Sequence, residues 1–257
     1  MSGLPGLRRV EQVMGMPIVV DVRDDVSAET VDQLFDWFRE VDERFSTYKE
    51  TSEISRLNRN EVAVRDTHPD VRAVLARCDE LRELTGGFFD CRYASLLEVD
   101  PSGLVKGWSV DRGGELLEAH GLRNYSINAG GDIRTRGAAL PEPAWRTGVQ
   151  HPVKNDRIAA VVEANDLALA TSGTYIRGEH IVDPHSGRPP SGLLSVSIAG
   201  EDLATADAFA TAVFAMGEQG PGFAAMLHPY ESFLILADGT SLSTPGFPLG
   251  EIEPGGL

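Results

Sequence analysis

Cysteine is scarce in this sequence, and long hydrophobic runs are missing. The 257 residues include two cysteines, Cys78 and Cys91. Cys78 falls on the apolar stripe of a predicted helix, which favours a reduced, buried thiol over a disulfide. No apolar stretch approaches the roughly 20 residues that a bilayer-spanning helix requires, and the N-terminal residues lack the apolar segment of a signal peptide. These absences predict a cytoplasmic protein.

Basic residues are also few. The chain has 23 Lys and Arg against 39 Asp and Glu, a formal net charge of −16, and its basic residues form no run. A polyanion such as DNA or RNA would be repelled, so no nucleic-acid partner is expected. A nucleotide is not excluded, because a metal ion and backbone N–H groups can meet its phosphates locally.

The hydrophobic pattern predicts helices and strands in irregular order. Apolar residues recur at helical spacing through residues 27–45 and again from Pro69. A further helix is predicted to begin near Lys106, and strand-like segments dominate the second half. Without a regular βαβ alternation, the pattern favours an α+β fold over a doubly wound parallel sheet. Residues 1–257 are expected to form a single domain, with a loose Pro/Gly-rich tail from about residue 243.

An alanine-rich segment, ATADAFATAVFAMG, carries the clearest chemical signal. Asp207 and Thr211 are four positions apart in it, and therefore lie on one face of a helix. A carboxylate among alanines is costly to bury unless it is paired, hydrogen-bonded or bound to a metal. Carboxylate and hydroxyl oxygens suit a hard cation such as Mg²⁺. The alternative is that the Thr211 hydroxyl bonds back to its own helix, but together the two residues favour a metal site.

Other polar and aromatic residues each allow two interpretations. His180, in HIVDP, is either a proton-transfer group or a hydrogen-bonded core histidine. Tyr48 either packs on the surface or stacks on a flavin or base. Lys106 is either a surface charge or a group that holds an anion or pairs with Asp100. The glycines of residues 130–132 either form a tight turn or let a ligand approach the backbone.

Eight motifs in this order resemble the ApbE-like FAD:protein FMN transferases, and the likeness covers nearly the whole chain. They are VMGMP (13–17), FSTYKETSEISRLN (45–58), GFFD (87–90), DPSGLVKGWSVD (100–111), INAGGDIRTRG (127–137), ATSGTY (170–175), HIVDPHSGRP (180–189) and ADAFATAVFAMG (206–217). The resemblance implies a two-lobed fold with a T-fold-like core and an FAD cleft between the lobes. It also implies Mg²⁺-dependent transfer of FMN from FAD to a Thr or Ser hydroxyl of an acceptor flavoprotein, with release of AMP.

The resemblance assigns roles to individual residues. It implies that Asp207, Thr211 and the backbone carbonyl of Gly103 hold Mg²⁺, and that His180 is the catalytic base. It implies that Tyr48 stacks on the flavin ring. Seven further residues match positions that line FAD in this family: Met14, Phe88, Phe89, Asp90, Asp100, Lys106 and Val182.

The sequence also departs from the family pattern. Met16 replaces a usual threonine, Phe88 replaces a small residue, and the stretch between Asp90 and Asp100 is short. Ala210 stands where some relatives have another metal-binding aspartate, which leaves one metal or weaker affinity as the expectation. Two other functions stay open: Mg²⁺-dependent hydrolysis of FAD to FMN and AMP, and non-catalytic FAD binding.

Overall fold

The computed structural model describes residues 6–92, 98–154, 156–173 and 181–251. Within these ranges the chain forms strands and α-helices, besides two short 3₁₀ turns. The strands are β1 (Leu7–Val13), β2 (Met16–Val22), β3 (Tyr125–Ala129), β4 (Asp132–Arg136), β5 (Trp145–Gln150), β6 (Ile158–Ala164), β7 (Leu167–Gly173), β8 (Leu193–Gly200), β9 (Glu231–Leu236) and β10 (Ser241–Ser243). The helices are α1 (Ala28–Phe45), α2 (Glu53–Asn58), α3 (Pro69–Leu84), α4 (Ser102–Ala119), α5 (Leu203–Ala215) and α6 (Gly220–Ala224).

An eight-stranded sheet in the order β1-β2-β3-β4-β7-β8-β9-β10 organises the described chain. Its neighbouring strands all pair antiparallel. Strands β5 and β6 form a separate antiparallel pair. The predicted α+β fold is therefore confirmed. None of the described helices is long and apolar enough to cross a bilayer.

The main core lies between the large sheet and helices α1, α4 and α5. Strand β2 alternates, with Ile18, Val20 and Val22 fully buried, and helix α1 contributes the predicted stripe that includes Phe35 and Phe38. Full burial of one such side chain stabilises the fold by about 1.5–3 kcal/mol. The apolar residues that recur at strand spacing in β2 and at helix spacing in α1 are thus the residues that these elements bury.

A second, smaller core lies on the other face of the sheet. In β9, Leu234 belongs to the main core, whereas Phe233 and Ile235 belong to the second one. Burial on both faces explains why β9 reads as an unbroken apolar run. Phe247 is buried in this second core, and the N–H of Gly250 donates to the carbonyl of Val161. Part of the expected loose tail therefore packs against β6.

Helices α4 and α5 cross closely, and this crossing builds the candidate site. A Cβ atom on Gly107 would lie 2.4 Å from the carbonyl oxygen of Leu203, so the crossing requires a glycine. The Asp111 carboxylate accepts hydrogen bonds from the N–H groups of Leu203 and Ala204, each at 2.9 Å. It also accepts one from Arg134 of β4 at 2.5 Å. Because a carboxylate is favourable at a helix N-terminus, Asp111 fixes the start of α5 against α4.

The start of α4 differs from the sequence prediction. The helix begins at Ser102 rather than near Lys106, which lies in its second turn. Asp100 precedes the helix, and its Oδ1 accepts the N–H of Ser102 at 3.0 Å. Prediction failed here because Gly103 and Gly107 have low helix propensity, which tertiary packing overrides.

Candidate active site

A cluster of one ammonium and two carboxylates lies where α4, β4 and α5 meet. The Nζ atom of Lys106 is 2.5 Å from Oδ2 of Asp132 and 3.5 Å from Oδ1 of Asp207. Both aspartates are buried, with residue exposures of 1% and 3%. Among the described residues, Lys106 contacts the carboxylates of Asp132 and Asp207, whereas pairing with Asp100 was one of the alternatives that the sequence left open. Asp100 precedes α4, and Lys106 lies in the second turn of that helix, where the packing of β4 and α5 against α4 brings Asp132 and Asp207 to the ammonium.

The pKa of the buried Asp207 carboxyl is raised despite its contact with Lys106. Burial raises the pKa of its carboxyl to about 8, the Asp132 carboxylate adds to the rise, and Lys106 and the N–H of Gly107 oppose it. Its Oδ2 atom is buried and accepts no hydrogen bond from the described residues. A buried polar atom without a partner requires an explanation, and a divalent cation would favour the ionised form of this carboxyl.

Thr211 and Gly103 lie against each other next to this cluster. Thr211 follows Asp207 by one turn of α5, and a Cβ atom on Gly103 would lie 3.9 Å from its Oγ1. Oγ1 of Thr211 is also 3.4 Å from Oγ of Ser172 in β7. The hydroxyl thus faces the neighbouring strand. The structure brings together two of the three residues predicted to bind metal, Gly103 and Thr211, and places the third one turn away.

The donor set is compatible with Mg²⁺. Within the described ranges, no three His, Cys, Asp or Glu side chains converge to hold a metal ion by themselves. A cation beside Asp207 would therefore be bound by a carboxylate together with hydroxyl and carbonyl oxygens. Such all-oxygen surroundings suit Mg²⁺, which usually uses one or two protein carboxylates and completes its shell with substrate phosphate and water.

The GFFD segment lies next to the start of α4. Phe89 is buried, and a Cβ atom on Gly103 would lie 3.3 Å from its ring. The ring of Phe88 packs edge-on against His185, with centroids 4.5 Å apart. Asp90 pairs with Arg82 at 2.9 Å. Phe88 thus joins this segment to the HIVDPHSGRP motif, a contact that a small residue would not make.

The other predicted flavin-lining residues lie in different parts of the chain. Met14 occupies the β1–β2 turn with a φ of 56°, and its sulfur is 4.0 Å from Oγ of Ser109 in α4. Tyr48 follows α1, and its side chain is 95% exposed, which leaves the ring accessible for stacking. Val182 is half-buried. His180, the predicted catalytic base, lies outside the described residues.

Sequence reasoning missed Asp132 and Ser172 as members of the site. The two glycines before Asp132 do form the β3–β4 turn, with φ values of 59° and 105°, so the simple interpretation of the turn holds. A Cβ atom on Gly130 would also lie 2.9 Å from the sulfur of Met16. The only sequence signal for Asp132 was its position after two glycines at the start of a strand. That signal does not predict its contact with Lys106.

The fold agrees with what comparison with known proteins shows. The chain matches the ApbE family over residues 14–99 and 95–234, and it belongs to that family. A relative from Vibrio cholerae, an FAD:protein FMN transferase, is 36% identical over 133 residues, 48% of this chain and 40% of the relative. A transferase of the same name from Rhodobacter capsulatus is 34% identical over 58% of this chain and 30% of its own length. Each match thus spans less than half of the relative.

Longer matches extend over most of the chain. An FAD:protein FMN transferase from Haemophilus influenzae is 24% identical, and the match covers 80% of both chains. The solved flavin transferase ApbE from Vibrio cholerae superposes with a TM-score of 0.84 at 23% identity, over 94% of this chain and 98% of that one. The ApbE protein from Thermotoga maritima gives a TM-score of 0.83 at 22% identity, over 93% and 97%. These structures share the fold.

Proposed function

We propose that this chain is an FAD:protein FMN transferase. It would move the FMN part of FAD to a Thr or Ser hydroxyl of an acceptor flavoprotein and release AMP. Membership of the ApbE family supports this proposal. The observation that carries it is the buried Asp207, whose Oδ2 accepts no hydrogen bond from the described residues. One helical turn away lies Thr211, whose Oγ1 would be 3.9 Å from a Cβ atom on Gly103.

Asp207, Thr211 and the backbone carbonyl of Gly103 would hold a single Mg²⁺. The ion would screen the charge of the FAD diphosphate and favour departure of AMP. A single ion is proposed because Ala210 offers no side-chain oxygen that could bind a second metal. Lys106 would supply a second positive charge beside the diphosphate, from a position that its contacts with Asp132 and Asp207 define.

The remaining predicted residues would bind the flavin and move the proton. Tyr48, exposed after α1, would stack on the isoalloxazine ring. His180 would take the proton from the acceptor hydroxyl, since a neutral imidazole is a base near neutral pH. We propose that residues 1–257 act as one domain in this reaction. Six residues would line FAD together with Lys106: Met14, Phe88, Phe89, Asp90, Asp100 and Val182.

The decisive experiment is intact-mass spectrometry of an FMN-binding acceptor domain after incubation with the chain, FAD and Mg²⁺. We expect the acceptor to gain the mass of one FMN moiety, and AMP to appear in equal amount. EDTA or Asp207→Ala should abolish both products. AMP without a mass gain would indicate hydrolysis of FAD, whereas FAD bound without either product would indicate a binding protein; both results contradict the transferase assignment.

A further inference from the structure

Asp132 makes the closer of the two carboxylate contacts with Lys106. We propose that Asp132 is a positioning residue, which holds the Lys106 ammonium away from Asp207 so that an oxygen of Asp207 stays available to a divalent cation. This inference rests on the proposed function, because it assumes a metal ion at Asp207. It adds to that function a residue that neither binds the metal nor touches the diphosphate.

The position of Asp132 is fixed from two sides. It is the first residue of β4, directly after the Gly130–Gly131 turn, and its side chain is almost fully buried. Its Oδ1 accepts the N–H of Thr171 in β7 at 3.0 Å, which leaves Oδ2 directed at Lys106, 2.5 Å away. A carboxylate held by the backbone of a neighbouring strand is a rigid anchor for a flexible lysine side chain.

The distances explain how the anchor affects Asp207. Electrostatic attraction falls with separation, so the ammonium, 2.5 Å from Asp132 and 3.5 Å from Asp207, is attracted more strongly by Asp132. Oδ2 of each aspartate is buried and accepts no hydrogen bond from the described residues, and the printed contact of the ammonium with Asp207 is to its Oδ1 atom, which leaves Oδ2 of Asp207 for a cation. If Asp132 became neutral, the ammonium would move onto Asp207 and compete with the cation for the same oxygens.

A simpler explanation would be that the negative charge of Asp132 attracts the cation directly. The two explanations differ in their dependence on Lys106. Direct attraction operates whether or not the lysine is present, whereas positioning operates only through it. A double-mutant cycle of Asp132 and Lys106 therefore separates them.

The test is binding of Mn²⁺ alone to the full chain, followed by the loss of the electron paramagnetic resonance signal of free Mn²⁺. We expect Asp132→Asn to weaken binding by about tenfold or more, as for other residues that orient metal ligands. Lys106→Met should bind Mn²⁺ at least as tightly as the wild type, because the competing ammonium is gone. Adding Asp132→Asn to Lys106→Met should change the affinity by less than about twofold, since the coupling acts through the lysine.

A matched control is Asp24→Asn. Asp24 follows β2, and its partly buried carboxylate accepts the N–H of Asn124, just before β3 begins, whereas Asp132 of β4 pairs with Ala129 at the other end of β3. Asp24→Asn should leave Mn²⁺ affinity unchanged. Three results would overturn the inference: equal weakening by Asp132→Asn in both backgrounds, weaker binding by Lys106→Met, or no Mn²⁺ binding by the wild type. Because none of these measurements uses FAD or an acceptor, the mass gain of the acceptor still reports independently on the proposed transferase.

Discussion

Gly107 of α4 lies directly against the backbone carbonyl of Leu203 at the start of α5. A Cβ atom on Gly107 would come within 2.4 Å of that oxygen and within 2.8 Å of the N–H nitrogen of Ala204. Real side chains do not approach backbone atoms so closely. The close crossing brings Lys106 and Asp207 together, so the missing side chain at Gly107 is a requirement of the candidate site.

Replacing Gly107 by alanine should therefore separate the two helices. We expect Gly107→Ala to lower the free energy of unfolding by about 1–3 kcal/mol, because overpacking strains a dense interior. Urea denaturation would measure the change. Gly222→Ala is the matched control, since a Cβ atom at this position in α6 has no neighbour within 4 Å among the residues that the structure describes. An equal effect of both substitutions would contradict the argument.

Asp24 predicts a pH dependence of stability. Burial raises its pKa, but hydrogen bonds from the Asn124 side chain and from the N–H groups of Arg123 and Asn124 outweigh burial, and the pKa lies below its usual value. A carboxyl with a lowered pKa in the folded protein stabilises the fold above its unfolded pKa, and this stabilisation is lost as the pH falls through the folded pKa. Asp24→Asn should therefore cost about 1–2 kcal/mol at neutral pH.

The difference in the free energy of unfolding between the wild type and Asp24→Asn should shrink as the pH falls below about 4, where the wild-type carboxylate becomes protonated. Chemical denaturation at several pH values would measure it. Asp25→Asn serves as the control, because Asp25 is the next residue and is exposed. A difference that is constant from neutral to acidic pH would disprove the role given to the Asp24 charge.

Thr211 tests the hydroxyl contribution to the metal site. Thr211→Val keeps the shape of the side chain and removes the oxygen, so it should raise the Mg²⁺ concentration for half-maximal AMP release by about tenfold or more. Thr211→Ser retains the hydroxyl and should stay near the wild-type value. Titration of Mg²⁺ at saturating FAD would measure both variants. Indistinguishable values for valine and serine would exclude a hydroxyl ligand at this position.

His180 tests the assignment of the base. His180→Ala should slow FMN transfer by about a hundredfold or more, whereas FAD binding, followed by flavin fluorescence, should be largely kept. His185→Ala is the control in the same motif, since His185 packs against Phe88 and its Nε2 is 3.1 Å from the carbonyl oxygen of Gly86. This variant should retain most of the transfer. Normal transfer by His180→Ala would remove the proposed base.

Local patterns were enough to predict much of this protein. The apolar stripe of α1 and the strands of the second half, such as β9, follow from the side chains that a helix or strand must bury. Asp207 and Thr211 were predicted to share a helical face because a spacing of four residues places them there in any α-helix. The order of the motifs was sufficient to predict the family.

Other features escaped prediction because they depend on burial or on neighbours distant in the chain. Strand β1 was missed, because at the edge of the sheet its polar residues alternate without a strong apolar signal. The partners of Lys106 were also missed: Asp132 belongs to β4 and Asp207 to α5, so no local spacing relates the three residues. Local periodicity thus determined the elements and their faces, whereas the packing of α4 across α5 and β4 established which charges meet.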